Sequence, residues 1–104
     1  MASGGVLVVT TYASDPARED EFRRWYQETH IPDVQEVPGI RRGRLYEIPG
    51  AGAGEARFLA IYELEGEPDR VFEDLKAHME IVRERGRFID TLTLASLHLC
   101  RNLD

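Results

Sequence analysis

Three short apolar runs and one more polar segment along the chain each predict a β-strand. The first, GVLVVTTY, spans Gly5–Tyr12 and is apolar at consecutive positions, which is typical of a strand buried on both faces. RFLAIYEL over Arg57–Leu64 and TLTLASLHLC over Thr91–Cys100 have the same character. Ile40–Ile48 is the second predicted strand, and one of its faces carries Ile40, Arg42, Arg44, Tyr46 and Ile48.

Two other segments place apolar residues three and four positions apart and therefore predict helices. The first runs from about Pro16 to about His30, where Pro32 is expected to stop it because the residue before a proline avoids helix. A short helical turn over Pro32–Glu36 follows. The second helix covers Asp69 to about Arg83. Its predicted core stripe is Val71, Phe72, Leu75, Met79 and Val82.

The predicted order βαββαβ is the ferredoxin-like arrangement, an α+β fold. Four strands form one antiparallel sheet, and two helices cover only one of its faces. Because three strands are apolar on both faces, the second face is expected to pair with another copy of the chain. The sequence therefore predicts a homodimer, a dimeric α/β barrel, with all 104 residues in a single domain. The loop 49–55 (PGAGAGE) is predicted to be the most mobile internal segment.

Composition excludes several classes of protein. The net charge of −6 argues against nucleic acid or an anionic membrane as a partner. No apolar run approaches the ~18 residues that span a bilayer, and no signal-peptide pattern is present, so a cytoplasmic protein is expected. The single cysteine, Cys100, cannot form an intrachain disulfide and is expected to be a small buried hydrophobe. No Cys/His cluster has zinc spacing, and no phosphate loop or dinucleotide fingerprint is present, so neither metal nor cofactor is expected.

His30 is the best candidate for chemistry. Phe22, Trp25, Tyr26 and Thr29 form the apolar stripe of the first helix, and His30 continues it four residues beyond Tyr26. Its ring is therefore expected to line a concave, largely apolar pocket between helix and sheet, where an imidazole could act as acid or base. A helix C-terminus would raise the pKa of this imidazole and burial would lower it. The alternative is that His30 only caps its helix.

Further candidates surround this histidine. Asp33 either orients His30 by a hydrogen bond, as carboxylates do in catalytic triads, or caps the turn after Pro32. His78 is expected to be a surface or core-filling residue. Aromatic residues of the helix and the strands are candidates for the walls of a ligand pocket. They are Trp25, Tyr26, Tyr12, Tyr46 and Tyr62.

One face of the second strand carries Arg42, Arg44 and Tyr46 together. Directed inward, this face would offer cations and a phenol to an anionic or phenolic ligand. Directed outward, which is the favoured reading, the arginines form a solvated edge. On the last strand His98 lies two residues from Cys100, and this pair is expected to serve core packing and not catalysis.

The segment FRRWYQETHIPDVQEVPGI, Phe22–Ile40, resembles the EthD-like branch of the dimeric α/β barrel superfamily. The resemblance rests on W-Y-x-x-x-H-x-P-D followed by V-P-G, and it implies a ferredoxin-like protomer, a homodimer and a pocket between sheet and helices or inside the barrel. Relatives include lactone isomerases, for which the histidine matching His30 has been proposed as the acid–base residue, and cyclases or decarboxylating enzymes acting on aromatic and polyketide-like compounds. Other members bind haem or oxidise quinol precursors through an asparagine–tryptophan–arginine set. That set has no evident match here, since the only asparagine is Asn102.

The sequence thus leads to one main hypothesis of function, a small cofactor-independent enzyme. It would carry out proton transfer (isomerisation, cyclisation or decarboxylation) on a small aromatic or polyketide-like metabolite, with His30 as acid/base. One alternative is a non-catalytic ligand-binding or accessory protein of the same fold. The other is a haem-binding dimeric barrel with His30 as the axial ligand.

Overall fold

A computed structural model describes residues 4–103 of the chain. Strands and helices follow one another in the predicted order, which confirms the ferredoxin-like α+β fold. The elements are β1 (Gly5–Ala13), a 3-10 turn (Pro16–Arg18), α1 (Glu19–Trp25), a π-helical turn (Tyr26–His30), α2 (Ile31–Gln35), β2 (Ile40–Glu47), β3 (Phe58–Leu64), α3 (Pro68–Glu84) and β4 (Leu92–Arg101).

The four strands form one sheet in the order β2-β3-β1-β4, and every neighbouring pair is antiparallel. The first strand is therefore central, and β2 and β4 are the edges. An extra residue, Arg41, shifts the register of β2 against β3, and a second irregularity follows Thr10 where β1 meets β4. Such bulges change which residues oppose each other across a ladder.

Strand alternation separates two very different faces of the sheet. Leu7 and Thr11 of β1, with Ala60 and Tyr62 of β3, point to the helices and are at most 2% exposed. The alternate residues lie on the face without helices, called here the open face. In β1 and β3 these are Val6, Val8, Thr10, Tyr12, Leu59, Ile61 and Glu63, and in β2 and β4 they include Arg42, Arg44, Tyr46, Ser96, His98 and Cys100.

Aromatic packing holds the first helical segment on the sheet. Phe22 is fully buried, and its ring lies 5.5 Å from that of Phe58 on β3. Tyr26 is 1% exposed, one turn further along. The predicted stripe of α3 also faces the core, with Val71, Leu75 and Val82 buried and Phe72 and Met79 packed against the core cluster.

The prediction that Pro32 ends the first helix is wrong. Helical backbone continues from residue 16 to residue 35, because the turn before the proline widens into a π-helical turn in which the Ile31 amide donates to the Tyr26 carbonyl. In a regular α-helix the proline ring would clash with the carbonyl four residues earlier. The wider turn relieves this clash and places Pro32 in the first turn of α2, where its missing N–H costs little. His30 consequently lies inside a long helical segment and not at its end.

Two expectations for the last strand also fail in the single chain. Cys100 is half-buried and His98 is exposed, both on the open face, and neither packs in the core. The reason is that no helix layer covers this face.

In the loop 49–55, Gly52 N–H donates to Glu55 Oε1 at 2.6 Å and Arg57 donates to the Ala51 carbonyl at 2.8 Å. The mobility of this loop stays a prediction. Over residues 4–103, no helix has both the length and the apolar character to cross a bilayer.

Candidate functional site

A cavity of about 530 Å³ lies between the helices and the sheet, toward the β4 edge. Most of its wall is apolar, with side chains from β1, α3, the 88–92 segment and β4. Its polar members come from Thr11, Tyr26, His30, Tyr62, Arg83 and Asp90. A largely apolar, concave site with a few polar groups is the usual form of a small-molecule site.

His30 lines this cavity inside a cluster of aromatic rings. The Trp25 ring stacks on the imidazole, with centroids 4.8 Å apart and planes at 20°. Tyr26 and Phe88 meet it edge-on, with centroid distances of 4.9 Å and 5.7 Å. The prediction that His30 lines an apolar pocket is confirmed. The helix-cap alternative is wrong, because the ring makes no capping hydrogen bond and its buried Nδ1 has no hydrogen-bond partner among residues 4–103.

Burial decides the protonation state of this imidazole. It lowers the pKa of His30 from 6.5 to about 4, while the negative charge of Asp33 opposes that shift. A helix C-terminus cannot raise this pKa, since the helical segment continues past His30. The ring is therefore neutral at pH 7 and can accept a proton. A buried nitrogen without a partner costs free energy and is unusual in a native core.

Three buried hydroxyl groups lie in the same cavity. Burial raises the pKa of Tyr26 to about 12, and the neighbouring hydroxyls of Tyr62 and Thr11 partly offset this effect. The pKa of Tyr62 is also raised, first by burial and then by Tyr26. Thr11 Oγ1 and Tyr62 Oη have no hydrogen-bond partner of good geometry within the described part of the chain. Both phenols therefore stay protonated near neutral pH, and each keeps an O–H group that can donate a hydrogen bond.

Asp33 is buried, and its carboxylate bonds to Arg87 and not to the His30 ring. Its two carboxylate oxygens accept hydrogen bonds from Arg87, Nε at 2.7 Å and Nη2 at 2.9 Å. The predicted orienting bond from Asp33 to His30 is therefore wrong, since this carboxylate is already occupied. The Arg87 carbonyl accepts a hydrogen bond from Trp25 Nε1 at 2.8 Å, so one residue connects Asp33 to the ring that stacks on His30.

His78 reinforces the same region from α3. Its Nε2 lies 3.1 Å from the Asp33 carbonyl oxygen and 3.0 Å from Glu36 Oε1. It thereby joins α3 to the end of α2 and does not line the cavity. His78 was expected to be a surface or core-filling residue. It is half-buried and links two helices.

The mouth of the cavity carries two charged side chains. Asp90 is bonded to Arg18 at 3.0 Å and 3.2 Å, and these hydrogen bonds hold the pKa of its carboxyl below its usual value. The Arg83 guanidinium carbon lies 5.3 Å from the centre of the Phe88 ring. Leu94 and Leu97 on the edge strand are 58% and 39% exposed at this opening.

Only part of the predicted aromatic wall is found in the cavity. Tyr26 and Tyr62 line it, and Trp25 lies behind His30. Tyr12 and Tyr46 are wrong as members of this site, because strand alternation places both on the open face. The run of Gly5–Tyr12 is apolar on both faces, so its sequence could not show that Thr11 and not Tyr12 faces the helices.

The arginines of the second strand point away from the helices and form a solvated edge, as the sequence analysis favoured. Arg42 and Arg44 are exposed on the open face beside Tyr46, away from the cavity.

Sequence reasoning missed Phe88 and Arg83 as parts of the site. Phe88 lies in a connection after Gly86 with no periodic pattern, and Arg83 is one of many arginines, so neither position carried a signal. Within residues 4–103, no group of three or more His, Cys, Asp or Glu side chains could hold a metal ion.

Comparison with known proteins identifies the fold. No protein-family model and no curated protein sequence matches the chain. Among solved structures, HapK from Hahella chejuensis superposes with a TM-score of 0.67 at 11% identity, covering 100% of this chain and 92% of that one. An EthD family protein from Bacillus halodurans C-125 gives 0.54 at 17% identity, covering 100% and 99%. An EthD-like protein from Ralstonia eutropha JMP134 gives 0.57 at 14% identity, covering 98% and 91%. The chain therefore has the ferredoxin-like fold of EthD-like proteins, as its motif indicated.

Proposed function

We propose that this protein is a small enzyme that transfers a proton within a small aromatic or polyketide-like substrate, with His30 as the base. The observation that carries the proposal is a neutral imidazole in the wall of an apolar cavity, beside buried hydroxyl groups. A general base must be deprotonated at the working pH and within reach of its substrate. His30 meets the first condition through burial and the second through its place in the cavity wall.

The hydroxyl groups supply the complementary half of such a reaction. His30 takes a proton from a carbon next to a carbonyl group, and the electron pair of that C–H bond moves into an enolate. Tyr26 and Tyr62 donate hydrogen bonds to the enolate oxygen, where negative charge develops. The imidazolium then returns the proton to a different atom of the same molecule. The result is an isomerisation that consumes no co-reactant.

Two features of the pocket offset part of the cost of the charged intermediate. With a pKa of about 4 the free imidazole is a weak base. An imidazolium stacked on Trp25 gains cation–π attraction, and the Asp33 carboxylate adds a longer-range stabilisation. These effects lower the cost of forming the cation in the reaction. Burial still outweighs these effects, so the imidazolium forms only transiently during the reaction and returns its proton quickly.

Haem binding fits these residues poorly. An axial histidine ordinarily donates its second ring N–H to a carbonyl or carboxylate, which fixes the ring and raises its basicity. In this chain Nδ1 has no such partner among residues 4–103, and Asp33 is occupied by Arg87. A Soret band of purified protein after incubation with haemin would overturn this interpretation.

A non-catalytic binding protein of the same fold is the second candidate. The weak basicity of His30 favours it, because a pKa near 4 suits a neutral hydrogen-bonding group as well as a base. In that case the cavity would hold the same class of ligand without turnover.

Hydrogen–deuterium exchange at carbon separates the two candidates. 2-Tetralone, a small aromatic ketone with acidic α-protons, is incubated with the protein in D2O at pH 7, and loss of the α-proton signal is followed by NMR. We expect wild-type protein to accelerate exchange and His30→Gln to reduce the rate by about a hundredfold or more. His78→Gln is the matched control and should keep the rate, since His78 lies outside the cavity. Binding of 2-tetralone without accelerated exchange would instead support the binding protein.

We also propose that two copies associate through their open faces. Val6, Val8, Leu59 and Ile61 form an apolar centre on this face, flanked by polar side chains of the edge strands. Burying such a centre against a two-fold related copy would remove it from water and complete the dimeric barrel that the motif implies.

A further inference from the structure

We infer that the substrate of this cavity carries a carboxylate, and that Arg83 at the mouth binds it. The inference rests on the proposed function in one respect, namely that the cavity is where the substrate binds. Beyond that, it specifies the charge of the substrate, its orientation in the cavity and the residue that determines specificity.

The charges along the cavity wall are not balanced. Two lining residues are charged at neutral pH, Arg83 and Asp90. Asp90 is matched by Arg18, which donates two hydrogen bonds to its carboxylate. Arg83 has no acidic side chain within salt-bridge distance in the part of the chain that the structure describes, whereas Arg18, Arg57, Arg87 and Arg101 each have one. The mouth therefore presents one cation without a counter-charge.

The position of Arg83 relative to His30 limits the length of ligand that is needed to meet both groups. Both groups approach the same ring, since the Arg83 guanidinium carbon lies 5.3 Å and the His30 ring centre 5.7 Å from the centre of Phe88. The sum of these two distances is the upper limit of their separation, so a molecule as long as a bicyclic aromatic acid is long enough to span them. One end of such a molecule can meet Arg83 while its other end reaches His30. The contact with Phe88 also limits the conformations of the guanidinium.

The contrast between the two ends of the cavity fixes the orientation of the ligand. Toward His30 the wall is apolar apart from hydroxyl groups, and a carboxylate placed there would lose its hydration without gaining a cation. At the mouth, Arg83 is exposed and its planar guanidinium matches a carboxylate with two hydrogen bonds. The charged group therefore stays at the mouth, and the uncharged aromatic part fills the interior.

Binding of two probes that differ only in charge tests the inference. The probes are 2-naphthoate and its neutral analogue 2-naphthamide, titrated into protein at pH 7 and low salt and followed by isothermal calorimetry. We expect wild-type protein to bind the naphthoate more tightly, and Arg83→Gln to weaken naphthoate binding by about three- to tenfold while leaving naphthamide unchanged. Arg85→Gln is the matched control, because Arg85 lies in the same turn of chain but outside the cavity. It should affect neither probe.

Three results would overturn the assignment. They are equal affinity of wild-type protein for the two probes, an Arg83→Gln variant that binds naphthoate as well as wild type, and no binding of either probe. Because the titration involves no turnover, its outcome is independent of the exchange experiment on His30. A selective Arg83 with no accelerated exchange overturns only catalysis. Accelerated exchange with no charge selectivity overturns only the carboxylate.

Discussion

The indole ring of Trp25 lies flat against the imidazole of His30, five residues further along the chain. Side chains three or four positions apart face each other on a regular α-helix, and side chains five apart do not. The stacking therefore depends on the π-helical turn Tyr26–His30, which contains one residue more per turn than an α-helix. The same turn accommodates Pro32, so the proline, the wider turn and the aromatic environment of His30 form one local structure.

Breaking the link between Asp33 and Arg87 should loosen this arrangement. Asp33→Asn removes the charge that Arg87 binds through two hydrogen bonds, in a side chain only 6% exposed. We expect the free energy of unfolding in urea to fall by about 1–3 kcal/mol. Because the Arg87 carbonyl holds Trp25, the fluorescence of this single tryptophan should change as well.

The matched control is Asp20→Asn, which removes an ion pair of Asp20 with Arg23 on the helix surface. Both side chains are at least half exposed. An exposed pair of this kind is worth less than about 1 kcal/mol, so stability and fluorescence should stay close to wild type. Equal effects of the two variants would contradict the positioning role of Asp33.

Much of the fold could be predicted from the sequence because its signals are local. Apolar runs, helical spacing and turn residues determined the order of elements and the core stripe of α3. The path of the helix through Pro32 could not be predicted, since the residue before a proline avoids helix and a wider turn that accommodates the ring has no local sequence signal. The position of His30 in the pocket wall could be predicted from its spacing from Tyr26. The ring on which it stacks, however, is that of Trp25. The partner of Asp33 was missed because Arg87 is remote in sequence.

Acid should destabilise the protein through His30. The pKa of this residue is about 4 in the folded chain and 6.5 when unperturbed, so above pH 6.5 both states are neutral and the group contributes nothing. Between pH 6.5 and 4 the unfolded chain binds a proton that the folded chain does not, and stability falls as the pH falls. The total loss is on the order of 3 kcal/mol.

Comparison with His30→Gln isolates this contribution from that of the carboxyl groups. Urea unfolding of both proteins is measured from pH 7.5 to pH 4. The variant should gain relative to wild type as the pH decreases through this range. A difference in unfolding free energy that does not change with pH would show that His30 is not buried in its neutral form.

A charge on the open face should prevent association. Val8 lies in the central strand, between Ile61 and His98 on this face. Val8→Glu would place a carboxylate at the centre of the proposed interface, whereas Ile81→Glu changes an apolar residue on α3 that is already 44% exposed. By light scattering we expect wild type and Ile81→Glu to have twice the chain mass of 11.9 kDa, and Val8→Glu to be a monomer. A monomeric wild-type protein would exclude the dimer.

Removing the hydroxyl of Tyr62 should have opposite effects on stability and on activity. Its oxygen is buried without a hydrogen-bond partner of good geometry in residues 4–103, so Tyr62→Phe deletes a desolvated polar atom and keeps the ring in place. We expect the free energy of unfolding to stay unchanged or to rise by about 1 kcal/mol. If the hydroxyl donates to a developing enolate, exchange of 2-tetralone α-protons should slow by about ten- to a hundredfold, toward the range found for the loss of one such donor. Tyr46→Phe, on the open face, should alter neither quantity. A Tyr62→Phe protein that is less stable and equally active would show that the hydroxyl serves packing, and the cavity would then lack one of its two phenolic donors.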